Sequence, residues 1–159
     1  MFGSRTELKT EAQIRTMRRA GLVTRAALEA ARAACVPGAT TAEVDAAADA
    51  VIADAGARSN FKGYHGFPAT ACISINDEIV HGIPGPRVLE TGDLVSIDCG
   101  AIVDGYHGDS AFTLCVGGWD AASAADRRLS EVTEESMWAG IAAFATAKRV
   151  GEIGAAIDR

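Results

Sequence analysis

The stretch from Gly92 to Gly117, GDLVSIDCGAIVDGYHGDSAFTLCVG, constrains this chain more than any other. Asp104-Gly105 sits between two apolar, β-rich runs, the strongest short-range signal for a tight β-hairpin. With those two as the turn, Val103 faces Tyr106 and Asp98 faces Ala111. Asp109 then lies two places nearer the turn. Side chains alternate along a strand, so Asp98 and Asp109 share a face as diagonal neighbours, roughly 7–8 Å apart at the backbone. A register slip of one residue would send them to opposite faces.

Two carboxylates so placed repel each other, and the flanking runs LVSID and AFTLCV are too apolar for a solvated surface. Three things could neutralise the pair: a shared proton, a cationic side chain, or one or two metal ions. A metal fits best, because Asp109 closes the run His107-Gly108-Asp109 and His81 lies upstream.

The chain has 159 residues, enough for one domain. With 48% hydrophobic and 23% charged residues it is a globular sequence rather than a disordered one. A net charge of -6 argues against a general nucleic-acid binder. No run approaches the ~18 apolar residues of a membrane helix, and the first twenty residues lack the apolar core of a signal peptide. The expected location is the cytoplasm. Cys35, Cys72, Cys99 and Cys115 form no CxxC pair, so a zinc knuckle or dithiol motif is absent. Free thiols are expected, with Cys99 and Cys115 as small apolar packers.

Residues 1–9 read as a loose tail. Thr10 to Gln13 is a capping box opening a helix, with Ile14, Met17, Gly21, Thr24, Leu28, Ala31 and Cys35 on its inward face. Arg15, Arg18, Arg19, Arg25 and Arg32 lie mostly opposite, as a solvated basic face or a dock for an acidic partner such as ribosomal RNA. Thr40 to Glu43 is a second capping box, for a helix running to about Gly56 with Val44, Ala47, Ala48, Val51 and Ile52 inward. Ala71 to Ile75 reads as a strand, Asn76-Asp77-Glu78 as a turn, and Ile79-Val80-His81 as a second short strand ending at Gly82. That ending would leave His81 facing a cleft. After the hairpin, Asp120 can cap a helix from about Ala121 to Ala147, and Val150 begins another. Glu131, Glu134, Glu135 and Glu152 fall on these helices as solvated side chains. The fold class is α+β with antiparallel strands.

The segments YHGFP, INDEIVHGIP, GDLVSIDCG and DGYHGDS, in that order, resemble the signature region of type I methionine aminopeptidases. The resemblance runs from IRTMRRAG in the first helix to VGEIGAAI near the last residue, and the phrasing is most similar to actinobacterial members. It implies the pita-bread fold, built of two similar halves, with residues 10–159 as the N-terminal half and the C-terminal half absent. It implies removal of N-terminal methionine from nascent proteins by two divalent metal ions (Co, Mn, Fe or Zn) with a bridging water, in a usually monomeric cytoplasmic enzyme.

Carried across position by position, the resemblance makes Asp98 and Asp109 metal ligands, with Asp109 bridging both ions. It makes His81 a catalytic contact to substrate near the scissile peptide, and lines the methionine pocket with Tyr64, Phe67 and Cys72. Phe61 stands where some members carry a small cysteine. The family's other ligands, a histidine and two glutamates, belong to the second half. A chain with two ligands is therefore expected to be inactive or severely impaired alone. Two other readings remain: a non-catalytic pita-bread module docking at the ribosome, or completion of the fold by a second copy.

Overall fold

A computed structural model describes residues 7–158. Two capping boxes start the first two helices where the sequence places them. Thr10 accepts from the Gln13 amide at the head of α1 (Glu11–Ala34), and Thr40 accepts from the Glu43 amide at the head of α2 (Thr41–Asp54). The loose tail expected over residues 1–9 falls, for residues 1–6, outside the described residues. The strands are β1 (Arg58–Ser59), β2 (Ala71–Ile75), β3 (Leu94–Val103) and β4 (Tyr106–Cys115). Then come α3 (Ala124–Phe144) and α4 (Val150–Ile157).

β3 is the hub of the sheet. β4 pairs along one edge, and β1 and β2 pair with opposite ends of the other edge, all antiparallel. Asp104 (φ 49°) and Gly105 (φ 80°) turn the β3–β4 hairpin with both residues left-handed, as a twist-matched two-residue turn requires. The register is the expected one: Val103 opposite Tyr106, Asp98 opposite Ala111 and Gly100 opposite Asp109.

One face of the sheet carries Ile73, Ile75, Val95, Ile97, Cys99 and Ala101, all buried against α1 and α2. α1 contributes Ala20, Thr24, Ala27, Leu28 and Ala31. Its small side chains let the helix lie close: a Cβ on Gly108 would sit 2.6 Å from the carbonyl carbon of Ala20. The Thr24 hydroxyl accepts from the Ala101 amide at 3.1 Å and donates to the Ala20 carbonyl. On α2, Val44, Ala48 and Ile52 are buried as expected, with Ala47 and Val51 at the margin.

The expectation for α1 fails in its first turns. Ile14 and Met17 are exposed, because the helix crosses the hairpin only from Ala20 onward. Ile79-Val80-His81 is not a strand. The chain meets the free edge of β2 at Glu78, which bonds Ile75, and at Gly82, whose carbonyl accepts from the Ile73 amide at 2.9 Å. Left-handed backbone at Asn76 (φ 57°) and His81 (φ 59°) swings the intervening loop away, leaving Ile79 and Val80 exposed. The Asn76 turn itself forms, stapled by its side chain to Asp93 and the Leu94 amide. The helix expected from Asp120 starts later, because Ser123, not Asp120, caps the Asp126 amide. Asp120 lies in a short 3₁₀ turn.

α3 packs mainly against α4. Gly140 is its one buried residue, pressed by Ile157, while Leu129, Met137, Trp138, Ile141 and Phe144 stay exposed.

The close crossing of α1 over β4 predicts a contrast between two glycines. Gly108→Ala should lower stability by about 1–3 kcal/mol, as overpacking against backbone does. Gly21→Ala, mid-helix with nothing within 4 Å of the new methyl, should raise it by about 0.5–1 kcal/mol. Denaturant midpoints of the two variants check the pair.

Candidate metal and substrate site

The face of the sheet away from α1 and α2 carries small and polar groups: Cys72 and Ser74 on β2, Ser96, Asp98 and Gly100 on β3, Asp109 and Ala111 on β4. Over it the loops 60–70 and 79–83 border an open cavity of about 620 Å³. All six residues singled out from the sequence line it: Tyr64, Phe67, Cys72, His81, Asp98 and Asp109. Phe61, Pro68 and Ile83 complete an apolar wall, and His65 joins them. Pro68 and Ile83 carry no polar signature, so nothing in the sequence marked them beyond their place in the glycine- and proline-rich run.

Asp98 is half-buried and Asp109 exposed, with their carboxyl groups close enough to share a hydrogen bond. Burial pushes the Asp98 carboxyl up to about 6, and the Asp109 charge and that hydrogen bond push the same way. The nearby His81 opposes them. The half-burial of Asp98 follows from its strand: β2 covers one side, with Cys72 directly opposite, and β4 covers the other.

His81 reaches the cavity by a strained route. Its left-handed backbone is uncommon for a residue other than glycine, and such strain concentrates at functional sites. Gly82 anchors it. The glycine lies flat on β2, where a Cβ would fall 2.1 Å from the Ile73 carbonyl oxygen, and its amide donates to the Ser74 hydroxyl. His65, at φ 47°, is a second left-handed histidine, stacked edge-on against Tyr64.

The wall formed by residues 60–70 is tied to α2. Asp45 accepts from the Thr70 and Ala71 amides at 3.0 and 2.7 Å. Asp49 accepts from the Thr70 hydroxyl and from Lys62. The Ser59 hydroxyl donates to the Thr70 carbonyl and accepts from the Phe61 and Lys62 amides. Burial raises the Asp45 carboxyl above its ordinary range, against the pull of those two amides. Sequence reading missed this network, because its members are spread from Asp45 to Ala71 with no motif spacing.

Two carboxylates on one cavity wall supply hard oxygen donors suited to a divalent cation. Among the described residues, no group of three or more His, Cys, Asp or Glu side chains could hold a metal ion. His107, adjacent in sequence, does not line the cavity; it pairs with Ile102 nearer the turn. All four cysteines are free and buried. Burial pushes the Cys72 thiol up to about 11 and the Cys99 thiol to about 12, so both are poor nucleophiles. Of the basic residues on α1, Arg15 pairs with Glu11, Arg19 with Asp104 and Arg25 with Glu29. Arg32 stacks over the Phe112 ring.

The raised Asp98 carboxyl predicts a stability trade-off. A group whose folded value lies above its ordinary 3.8 opposes folding once ionised. In chelator, the chain should lose stability as pH rises from about 4 through about 6. Asp98→Asn should melt higher than the parent at pH 8, with the difference closing below pH 4. Thermal melts across that range check it.

The model of metallopeptidase family M24 matches residues 15–159. Methionine aminopeptidase 1 of Mycobacterium tuberculosis is 50% identical over 151 residues, covering 94% of this chain and 56% of the relative. Methionine aminopeptidase 1 of Bacillus subtilis is 44% identical over 150 residues, covering 94% and 59%. The crystal structure of methionine aminopeptidase from Thermotoga maritima superposes with a TM-score of 0.79 at 34% identity, over 85% of this chain and 53% of that one. Prolidase from Pyrococcus furiosus, at 22% identity and a TM-score of 0.70, shares the fold. The chain thus spans little more than half the length of these methionine aminopeptidases. It has the α+β, pita-bread architecture expected from its motifs, and no helix among the described residues is long and apolar enough to cross a membrane. On the match of the family model over nine-tenths of its length, the chain belongs to metallopeptidase family M24.

Proposed function

We propose that this chain carries the first-half ligand face and the substrate wall of a methionine aminopeptidase, removing N-terminal methionine from nascent proteins in the cytoplasm. One observation carries the reading: Asp98, Asp109 and His81 meet in a single cavity whose other wall is apolar. A binding module has no use for a half-buried Asp98 carboxyl set beside a like charge, and the ion pairs of Arg15, Arg19 and Arg25 within the chain weaken the ribosome-docking alternative.

Each residue has a task in this reading. Asp98 and Asp109 hold one or two divalent ions, with Mn, Fe, Co and Zn all compatible with oxygen-rich ligation. Bound there, such ions supply Lewis acidity and a nucleophilic water near neutral pH. Ionisation of Asp98 is the chain's own contribution, since a carboxylate binds the ion and a carboxylic acid does not. His81, projecting from its strained loop, donates to the oxygen that gains charge as the peptide carbonyl is attacked. Tyr64, Phe67 and Cys72 form an apolar slot for an unbranched thioether, where size sets specificity to the extent of about 1–3 kcal/mol per methylene. The exposed apolar face of α3 is, in the same reading, the seat of the remainder of the family fold, which brings the missing ligands.

The test is methionine release from a Met-Gly peptide with added Mn²⁺ or Co²⁺. The chain alone should give no robust turnover. A chimera in which it replaces the matched segment of the Bacillus subtilis relative should be active. In that chimera Asp109→Asn should abolish turnover, and His81→Ala should lower kcat by about 10²–10³-fold. Robust turnover by the chain alone would contradict the incomplete ligand set. An inert but folded chimera would contradict the function.

A further inference from the structure

Asp109 sits on the outer strand of the hairpin, with no further strand paired beyond β4 among the described residues. An edge strand frays and shifts more readily than a central one. A metal ligand there needs something to hold its backbone, and the structure supplies two clamps at the rung beside it.

Asn60, just past β1, provides the first. Its amide donates to the Gly100 carbonyl at 3.0 Å, and its Nδ2 donates to the Gly108 carbonyl at 3.0 Å. Gly100 is the cross-strand partner of Asp109, and Gly108 precedes it in the chain. One residue thus grips both strands around Asp109. Thr24 on α1 is the second clamp. It accepts from the Ala101 amide, and Ala101 is the partner of Gly108.

The two glycines exist to let these clamps close. A Cβ at Gly100 would lie 2.2 Å from the Asn60 Nδ2, and one at Gly108 would strike the Ala20 backbone. The Asn60 Oδ1 is buried without a partner among the described residues. An orphaned buried acceptor opposes stability. An apolar side chain would remove that penalty, but it would also remove the donor to the Gly108 carbonyl.

We propose that Asn60 is a positioning residue for metal binding: its amide fixes the Gly108–Asp109 peptide on the edge strand, and so aims the Asp109 carboxylate at the ion held with Asp98. The proposal rests on the metal reading above. Asn60 does not line the cavity and touches neither substrate nor ion.

The test titrates the purified chain with Mn²⁺ alone, following paramagnetic broadening of the Cys72, Asp98 and Asp109 amide signals by NMR. Thermal melts are run in parallel. In the parent, broadening should centre on these residues. In Asn60→Ala the Mn²⁺ Kd should rise about tenfold, the lower end of the range for groups that orient metal ligands. Asn60→Asp is nearly isosteric and guards against simple misfolding of the alanine variant. It cannot donate to the Gly108 carbonyl, yet its added negative charge would by itself tighten cation binding. Weakened binding in Asn60→Asp therefore supports positioning.

A merely structural role would lower the melting temperature and leave the Kd unchanged. An Asn60→Ala Kd within twofold of the parent, or an Asn60→Asp Kd tighter than the parent if the alanine variant does not fold, overturns the proposal while leaving the metal reading intact. Absence of site-centred broadening in the parent overturns the metal reading, and this inference with it.

Discussion

The repulsion between Asp98 and Asp109 is the constraint on which the site depends. A two-residue turn at Asp104-Gly105 leaves the strands no freedom of register, and that register puts both carboxylates over one cavity. Burial of Asp98 and the charge of its neighbour both raise its carboxyl to about 6. The folded chain thus stores an unfavourable interaction that a divalent cation relieves. Much of the surrounding architecture keeps the two groups from moving apart. α1 lies on the hairpin through Ala20 and Thr24, Asn60 bridges its two strands, and glycines stand where a side chain would block either approach.

The opposite wall is built by different physics. Residues 60–70 have little regular structure and few buried side chains, so packing alone does not hold them. Polar ties to α2 and β1 do so: Asp45 on two consecutive amides, Asp49 on Thr70 and Lys62, Ser59 on both ends of the loop. A loop fixed by hydrogen bonds rather than by a core can present Tyr64 and Phe67 to the cavity while remaining largely exposed. The surface elsewhere is unbalanced. A folded monomer of 16.4 kDa exposes ~7,500 Å² by size scaling, whereas this chain exposes 10434 Å². Part of that surface is the apolar face of α3, where Phe144 is 74% exposed and Leu129 60%.

What was legible in the sequence was local or periodic. The hairpin register followed from Asp-Gly and strand alternation, and both early capping boxes followed from threonine spacing. The six cavity residues came from the hairpin and from motif resemblance together. The errors have a common origin in tertiary context. Ile79-Val80-His81 has the composition of a strand, but Glu78 and Gly82 make the contacts on the β2 edge, and Ile79 and Val80 between them are turned outward. Ile14 and Met17 keep the helical period, yet the sheet does not extend beneath them. Asp120 yielded its capping role to Ser123, three residues nearer the helix body. The Asp45 bonds to Thr70 and Ala71 and the Asn60 clamp depend on contacts between residues 25 to 48 apart, which no local pattern encodes.

The central claim is that the hairpin brings its two carboxylates together to hold a cation. Anomalous diffraction from crystals of the chain soaked in Mn²⁺, recorded at the manganese absorption edge, tests it most directly. A peak within coordination distance of both the Asp98 and Asp109 carboxylate oxygens, absent in crystals of Asp98→Asn, is the result this account predicts. Manganese bound only elsewhere on the surface, with none at the two carboxyls, would contradict it.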